Sequence, residues 1–544
     1  MRVHLEGTRN AVVLEDENAF LSFSPSPAGG VDTRFFPPGK DVPPFSPTES
    51  HEVLGCIGVL EWANDTWILC AAGHPFPYGA PAGKDVCNIP DVLFFPLSSS
   101  HAPDASHHFH PCHHLHKLFY AGTFYYSRDT DLSTRLYNQV KVKGQRHEAC
   151  VPQARAEQNP PLVPPPHAEG TEEFAWNSFL LEPLKKLREA LQTEEQAAFD
   201  SRAFAMPLIH GFYHAQAVEG TDGGRMVLEI ISRCGWRRAG VQDLTEGIDE
   251  GGNVAMFVET ETILSTPTKS CSFVQLRGDV PLIYHRYRRL LARWIHIDRP
   301  LEQHALPPFI RHFRQLTAAY SAPVRILSLN AHPAPQATAC FRLLHFAKSQ
   351  DLVLKKEVKW LSFGIENVIA GGGLVEQTAW EGYDEVEPGT EGMGITVVAV
   401  DGQTRRPTLE QEQQGVWRLD SSMHIDITSV AAWRISAAAL NLALFAVYGN
   451  CSPSLAGSSL EKVHNRMFAA NTDRLSEIYT GTRAWSSPFI RTARASVAHI
   501  GLRQFLEWPE RKLKEVVHGK ETQRAIQAVT GQLAEQKKVE LHMV

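Results

Sequence analysis

Cysteine is scarce, with nine residues scattered through a chain of 544, which argues against a disulfide framework. No signal-peptide pattern follows Met1-Arg2-Val3-His4, so a reducing, cytoplasmic setting is the expectation. A long hydrophobic run is also lacking. The longest, Ile435 through Ala446, is interrupted by Ser436 and Asn441 and is too short to cross a bilayer, so no transmembrane anchor is expected. Positive charge is in deficit. A formal net charge of -7 argues against a general nucleic-acid binder, while a local basic face could still meet an anionic membrane.

What remains is an ordinary soluble globular composition, 43% hydrophobic and 21% charged, at a length that points to two domains or more. Short apolar runs separated by turn-formers, at Phe20–Phe23, Val53–Trp62 and Trp67–Ala72, predict strands of an antiparallel sheet, with Asn64-Asp65 as a hairpin turn. The run His107-His108-Phe109-His110-Pro111-Cys112-His113-His114-Leu115-His116 reads as a solvated loop, with a transition-metal site as the alternative. Asn159 to Pro166 reads as an extended, proline-rich surface loop. Glu182 to Gln196 has helical spacing, and strands are expected at Ala205–Phe212, Met226–Ile231, Val324–Leu329 and Trp360–Phe363. That alternation predicts an α/β domain with a largely buried sheet. After Leu502 the chain is charged and helical, broken most sharply at Pro509.

The stretch with the most chemical content is Trp417-Arg418-Leu419-Asp420-Ser421-Ser422-Met423-His424-Ile425-Asp426-Ile427-Thr428-Ser429, followed at once by an Ala-rich apolar helix-former. It reads as a phosphate-cradling loop entering a helix, because backbone N–H groups at a helix start collect anions.

Ordered motifs identify whose loop this is. Gly252-Asn253-Val254-Ala255-Met256-Phe257-Val258-Glu259-Thr260-Glu261 is close to G-N-V-A-N-F-V-E-T-E, and Ser272-Phe273-Val274-Gln275-Leu276-Arg277-Gly278-Asp279-Val280-Pro281 to S-x-V-Q-x-R-G-S-I-P. Phe124-Tyr125-Tyr126-Ser127 with Asp131-Leu132, Phe174-Ala175-Trp176-Asn177, Pro207-Leu208-Ile209-His210-Gly211-Phe212, and Ala470-Asn471-Thr472-Asp473-Arg474-Leu475-Ser476 with Tyr479-Thr480-Gly481-Thr482 extend the series. In these motifs the chain resembles the Sac-domain phosphoinositide phosphatases. The resemblance implies an amino-terminal β-rich Sac module (1–182) packed on an α/β phosphatase-like domain (183–500), with a charged helical tail (501–544). It implies monophosphorylated inositol lipids as the substrate class and a cysteine thiolate as nucleophile; no cofactor and no metal are expected. Neither the carboxy-terminal membrane anchor nor the appended 5-phosphatase domain of some family members is expected here.

The family's active loop reads R-x-N-C-x-D-C-L-D-R-T-N. Loop amides, the helix dipole and an arginine stabilise the thiolate, the arginine then clamps phosphoryl oxygens, and a carboxylic acid protonates the leaving oxygen. Here Arg418 matches the opening arginine, Ser421 stands at the cysteine, Met423 and His424 replace aspartate and the second cysteine, Asp426 matches the last aspartate, Ile427 replaces the arginine, and Thr428 survives. A serine without a base does not ionise near neutral pH, and isoleucine offers neither charge nor donor. Either change is expected to cost several orders of magnitude in rate.

Cys271 and Arg277 have C-x5-R spacing, but their segment alternates like a strand and lacks the small residues of a phosphate loop. Gln242 to Gly247 puts acidic residues where relatives carry R-R-G, and Phe363-Gly364-Ile365-Glu366 replaces F-D-F-H. Basic groups at Arg233, Arg237, Arg238 and at Arg286, Arg288, Arg289, Arg293 are candidate anionic-lipid contacts or a solvated face. Trp433 and Arg434 are expected in core and cap. The expectation is therefore a pseudophosphatase that binds a protein partner or a phosphoinositide through Arg418, Thr428 and Arg277, peripheral at membranes, with an active phosphatase working on phosphatidylinositol monophosphates as the alternative.

Overall fold

The computed structural model describes residues 1–6, 11–27, 29–40, 49–73, 76–77, 86–98, 101–128, 130–141, 173–220, 223–242, 244–289, 292–297, 301–320, 323–329, 335–362, 393–401, 406–420, 425–492 and 519–533. The chain divides into two compact units, one of Met1–Thr134, Glu148–Gly211 and Lys520–Val544, the other of Arg135–His147 and Phe212–Gly519.

In the first unit, β1 (Arg2–Glu6), β2 (Ala11–Asp16), β3 (Ala19–Pro25), β4 (Val31–Phe36) and β5 (Glu49–Glu52) form an antiparallel sheet of order β4-β3-β2-β1-β5. Burial alternates along β3, so Leu21 and Phe23 face a core that also holds Val3 and Leu14. A second sheet pairs β6 (Gly55–Trp62) with β7 (Asp65–Ala72), and β7 with a later strand. The hairpin turn falls on Ala63 and Asn64, both at positive φ (52° and 64°), as a two-residue hairpin of this hand requires. It lies one residue earlier than expected because Asp65 is already strand, its carboxylate taking the N–H of Thr66 at 2.7 Å and the Ser98 hydroxyl at 2.6 Å. The remaining strands here are β8 (Phe76–Pro77), β9 (Val86–Asn88), β10 (Asp91–Pro96), which flanks β7, and β11 (Phe124–Ser127).

The two compact units divide near residue 211, beyond the expected boundary at 182. Asn177 is the physical reason: its Nδ2 donates to the carbonyls of Ile57 (2.7 Å) and Met206 (2.8 Å), and its Oδ1 accepts the Leu208 N–H at 2.9 Å. A bulge in β6 admits this segment at Gly58 (φ 137°), where any Cβ would meet the Leu180 carbonyl at 2.4 Å. The predicted helix 182–196 is two helices, Glu182–Ala190 and Thr193–Asp200, broken where Leu191 turns extended and Gln192 with Glu195 forms a capping box. Helical residues within 519–533 belong to this unit rather than to a separate tail.

The histidine-rich segment is an exposed loop over His107–Phe109 and a packed helix from His113 onward. Helix His113–Tyr120 buries His113, His116, Leu115 and Phe119, with Cys112 buried at its cap. His116 pairs with Asp91 at 2.8 Å, and His113 Nδ1 hydrogen-bonds the Ala105 carbonyl at 3.2 Å. Among the described residues no three His, Cys, Asp or Glu groups converge as a metal site. The proline-rich segment lies outside the described residues.

The second unit carries β12 (Ile209–Glu219), along which the chain enters it, then β13 (Arg225–Cys234), β14 (Val258–Ser265) and β15 (Lys269–Gly278) as an antiparallel run. β16 (Tyr284–Arg289) and β17 (Ala292–Ile297) make a separate hairpin. The remaining strands are β18 (Val324–Ser328), β19 (Val358–Ser362), β20 (Thr396–Val400), β21 (Pro407–Gln411) and β22 (Val416–Asp420). The sheet changes character at β15, whose last residues pair in parallel with β22, as β22 does with β18 and β18 with β19. Only this last part is the parallel, doubly covered array that alternating strands and helices predict.

One face of the array packs on helices Ile425–Tyr448, Ser459–Thr480 and Ser487–Thr492, the other on Leu306–Tyr320, Pro335–Gln350 and Leu352–Glu357. The span Thr428–Cys451 is, by length and a mean hydropathy of 1.7, apolar enough to cross a membrane, contrary to expectation. Half of it is buried, and Ala431, Trp433, Ile435, Ala439 and Leu440 are core, so it serves this unit as an interior helix.

Candidate functional site

β22 is buried at all five residues and runs between two parallel neighbours, with Asp420 level with Gly278 on one side and Ser328 on the other. Helix Ile425–Tyr448 starts just beyond it. The expected loop therefore leaves the carboxyl end of a central parallel strand, where open α/β sheets place their ligands. Ser421 and Met423 lie outside the described residues, as do the side chains of Asp426 and Ile427, whose backbones form the first helical turn.

Arg418 is fully buried, and its guanidinium has three close neighbours. Nε donates to His312 Nε2 at 3.0 Å, Nη2 to the Asp279 carbonyl at 2.9 Å, and Nη1 ion-pairs with Asp420. His312 in turn donates from Nδ1 to the Gly252 carbonyl at 2.8 Å, which fixes the tautomer that leaves Nε2 as acceptor. Burial, then the Arg418 charge, keeps His312 neutral well below the usual imidazole range. Burial also draws Arg418 down to about 10, with Asp279 working the other way.

Gly252, the first residue of the G-N-V-A segment, holds φ 86°, and a Cβ there would sit 2.9 Å from the His312 N–H nitrogen. Asn253 caps the turn on Asp249. The two glutamates that close the motif, Glu259 and Glu261, are both paired with Arg233 at 2.8 Å in full burial, and Tyr320 donates to Glu259 at 2.6 Å. Arg233 is thus an interior cation and no part of a basic surface. The side chains of Arg286, Arg288, Arg289 and Arg293 lie outside the description.

The remaining candidates do not gather around Arg418. Arg277 projects from the other face of the sheet, where its Nη1 donates to Ser429 Oγ at 2.9 Å, beside buried Thr428 in the first turn of the helix. Alternation along β15 puts Cys271 and Arg277 on this same face, but six residues apart, about 20 Å. Cys271 packs against Ala443, and burial pushes its thiol up to about 11. Cys234, near Arg277, also stands at about 11, and burial raises Cys340 further. These three thiols stay protonated at neutral pH, and the C-x5-R spacing forms no phosphate loop. A cavity lined by Arg135, Tyr137, Ser272, Thr396 and Gln413 lies by Gly415, at the other end of β22.

Asp279 and Asp420 lie within the quoted motifs but nothing local marks them as partners of Arg418, and His312 carries no local sequence signal. His312 is brought to Arg418 from 106 residues away, a separation no spacing rule reaches. Trp433 is core, as expected, its Nε1 donating to Asn465 at 2.8 Å, and Arg434 stacks on its ring.

A mixed α/β fold with a strand–loop–helix at the carboxyl edge of its parallel strands defines the class. The family model of the SacI homology domain matches residues 54–338, and the chain belongs to that family. It is similar to polyphosphatidylinositol phosphatase INP53 of Saccharomyces cerevisiae, 27% identical over 92% of this chain and 44% of that protein. It is similar also to inositol-1,4,5-trisphosphate 5-phosphatase 1 of Schizosaccharomyces pombe, 28% identical over 84% of this chain and 41% of the relative. With phosphoinositide phosphatase SAC6 of Arabidopsis thaliana it shares 27% identity over 60% of this chain and 51% of the relative. The chain thus spans about half the length, or less, of these relatives.

Proposed function

We propose that this protein is a Sac-family pseudophosphatase, a folded phosphoinositide-phosphatase scaffold without turnover that acts by binding. The observation that carries the reading is the joint presence of Ser421 and Ile427 where the reaction needs a thiolate and a guanidinium. The internal use of Arg418 supports it, since that cation is already neutralised by Asp420 and capped by His312. The test is phosphate release from each phosphatidylinositol monophosphate by the purified chain. The expected rate equals that of a Ser421→Ala control; turnover well above the control would establish an active phosphatase instead.

A second reading, binding of an inositol-lipid headgroup without hydrolysis, is supported by Arg277, a cation held at the first turn of the helix that follows the loop. Flotation with phosphoinositide-containing liposomes, compared with an Arg277→Met variant, tests it: binding unchanged by that substitution removes the reading. The proposed location is the cytoplasm.

A further inference from the structure

We propose that the corner formed by helix Leu352–Glu357 and its neighbours is a docking surface for anionic lipid bilayers, separate from the loop after β22. The observation is a juxtaposition of exposed apolar groups and clustered lysines, in a chain of net negative charge.

Leu352 is 82% exposed and Val353 48%, at the start of a short helix. The tip is rigidly made. Asp351 caps it by accepting the N–H groups of Val353 at 2.9 Å and Leu354 at 3.3 Å, and is itself buried beneath Arg314. Around the tip stand Lys355, Lys356 and Lys359, all exposed, and Lys348 at the end of the preceding helix. Among the described residues only Lys356 has an anionic partner, Glu357 at 3.6 Å, while Lys348, Lys355 and Lys359 have none. Lys348 lies close enough to Lys359 for burial, then that like charge, to lower its pKa. Phe341, 57% exposed, and His345 continue the surface along the helix with Lys348, at the i, i+4, i+7 spacing that shares one face.

Lysines held near one another with no anion beside them among the described residues are stabilised by an external one, and a bilayer rich in acidic headgroups supplies it. The apolar tip distinguishes lipid from an acidic polypeptide. A leucine with most of its surface in water stands proud of the fold, where a peptide groove has nothing to close over it, whereas the interfacial region of a membrane accepts an apolar projection flanked by lysines. Lysine stems bury their methylenes at the same depth as Leu352 while their charges reach the headgroups.

The experiment is co-sedimentation of the full chain with phosphatidylcholine vesicles, with and without phosphatidylserine, and with no phosphoinositide present, so that its outcome is independent of the Arg277 reading. Binding is expected only with phosphatidylserine and is expected to weaken as salt screens the lysines. A Lys355→Glu, Lys356→Glu, Lys359→Glu variant is expected to lose binding by about 100-fold or more, since each lysine near a charged membrane contributes about fivefold. Leu352→Ser with Val353→Ser, exposed changes that leave the fold intact by circular dichroism, is expected to weaken it about fivefold. The proposal is overturned if the chain ignores phosphatidylserine vesicles, if either folded variant binds as well as the parent, or if polyglutamate competes while the serine pair has no effect, which would assign the surface to an acidic protein.

Discussion

Two neighbouring stretches of one sheet, Gly252–Gly278 and Val416–Ser429, differ in what has been kept. The first retains its family motif almost unbroken, and its residues are used for folding. Gly252 supplies a left-handed turn, and Glu259 and Glu261 balance a fully buried Arg233. The second retains the ends of its motif, Arg418 and Thr428, and has exchanged the residues between them that would touch a phosphate. Arg418 survives because it too is structural, tied to His312, Asp279 and Asp420. Groups that satisfy one another inside the fold are costly to remove whether or not a reaction takes place, whereas a nucleophile is held only by the chemistry it performs.

The comparison can be broken most forcefully at the buried cation. Glu259→Gln leaves Arg233 with half its compensation and is expected to destabilise the second unit by about 3–5 kcal/mol, read as a shift in the urea midpoint; a change below about 1 kcal/mol would make the motif dispensable for folding. Protonation probes both stretches next. His312 and His464, the latter brought to about 3 by burial, are neutral in the fold while the unfolded imidazoles titrate near the ordinary value of about 6.5. Above that value neither contributes. As pH falls below it the unfolded chain takes up the protons first, so stability drops by up to about 1.4 kcal/mol per pH unit for each group. Denaturant unfolding between about pH 7 and pH 5 should show this slope, and His464→Asn should flatten it by up to half.

Gly252→Ala forces a side chain into a left-handed conformation against the His312 backbone and is expected to cost about 1–2 kcal/mol, again by unfolding. The smallest effect falls on the second stretch. Ser421→Ala should leave stability within about 0.5 kcal/mol and phosphate release unchanged, and a clear loss of either would mean that the position still works.

Much of this was legible in the chain alone. Alternation placed Cys271–Arg277 in a strand, β-rich runs marked the first sheets, and the motifs carried the family resemblance, because each signal lies within a few residues of itself. The absence of a thiolate and a guanidinium at Ser421 and Ile427 is likewise a property of the sequence. Tertiary structure decided what those patterns could not carry. It turned Arg233 from surface patch to buried ion pair, closed the second half of the histidine-rich segment into a helix, and moved the unit boundary to residue 211 through the hydrogen bonds of Asn177. It also separated Arg418 from Arg277 by the thickness of a sheet. Burial and partnership are set by residues far apart in the chain, and only folding brings them within the few ångströms over which charge and hydrogen bonding act.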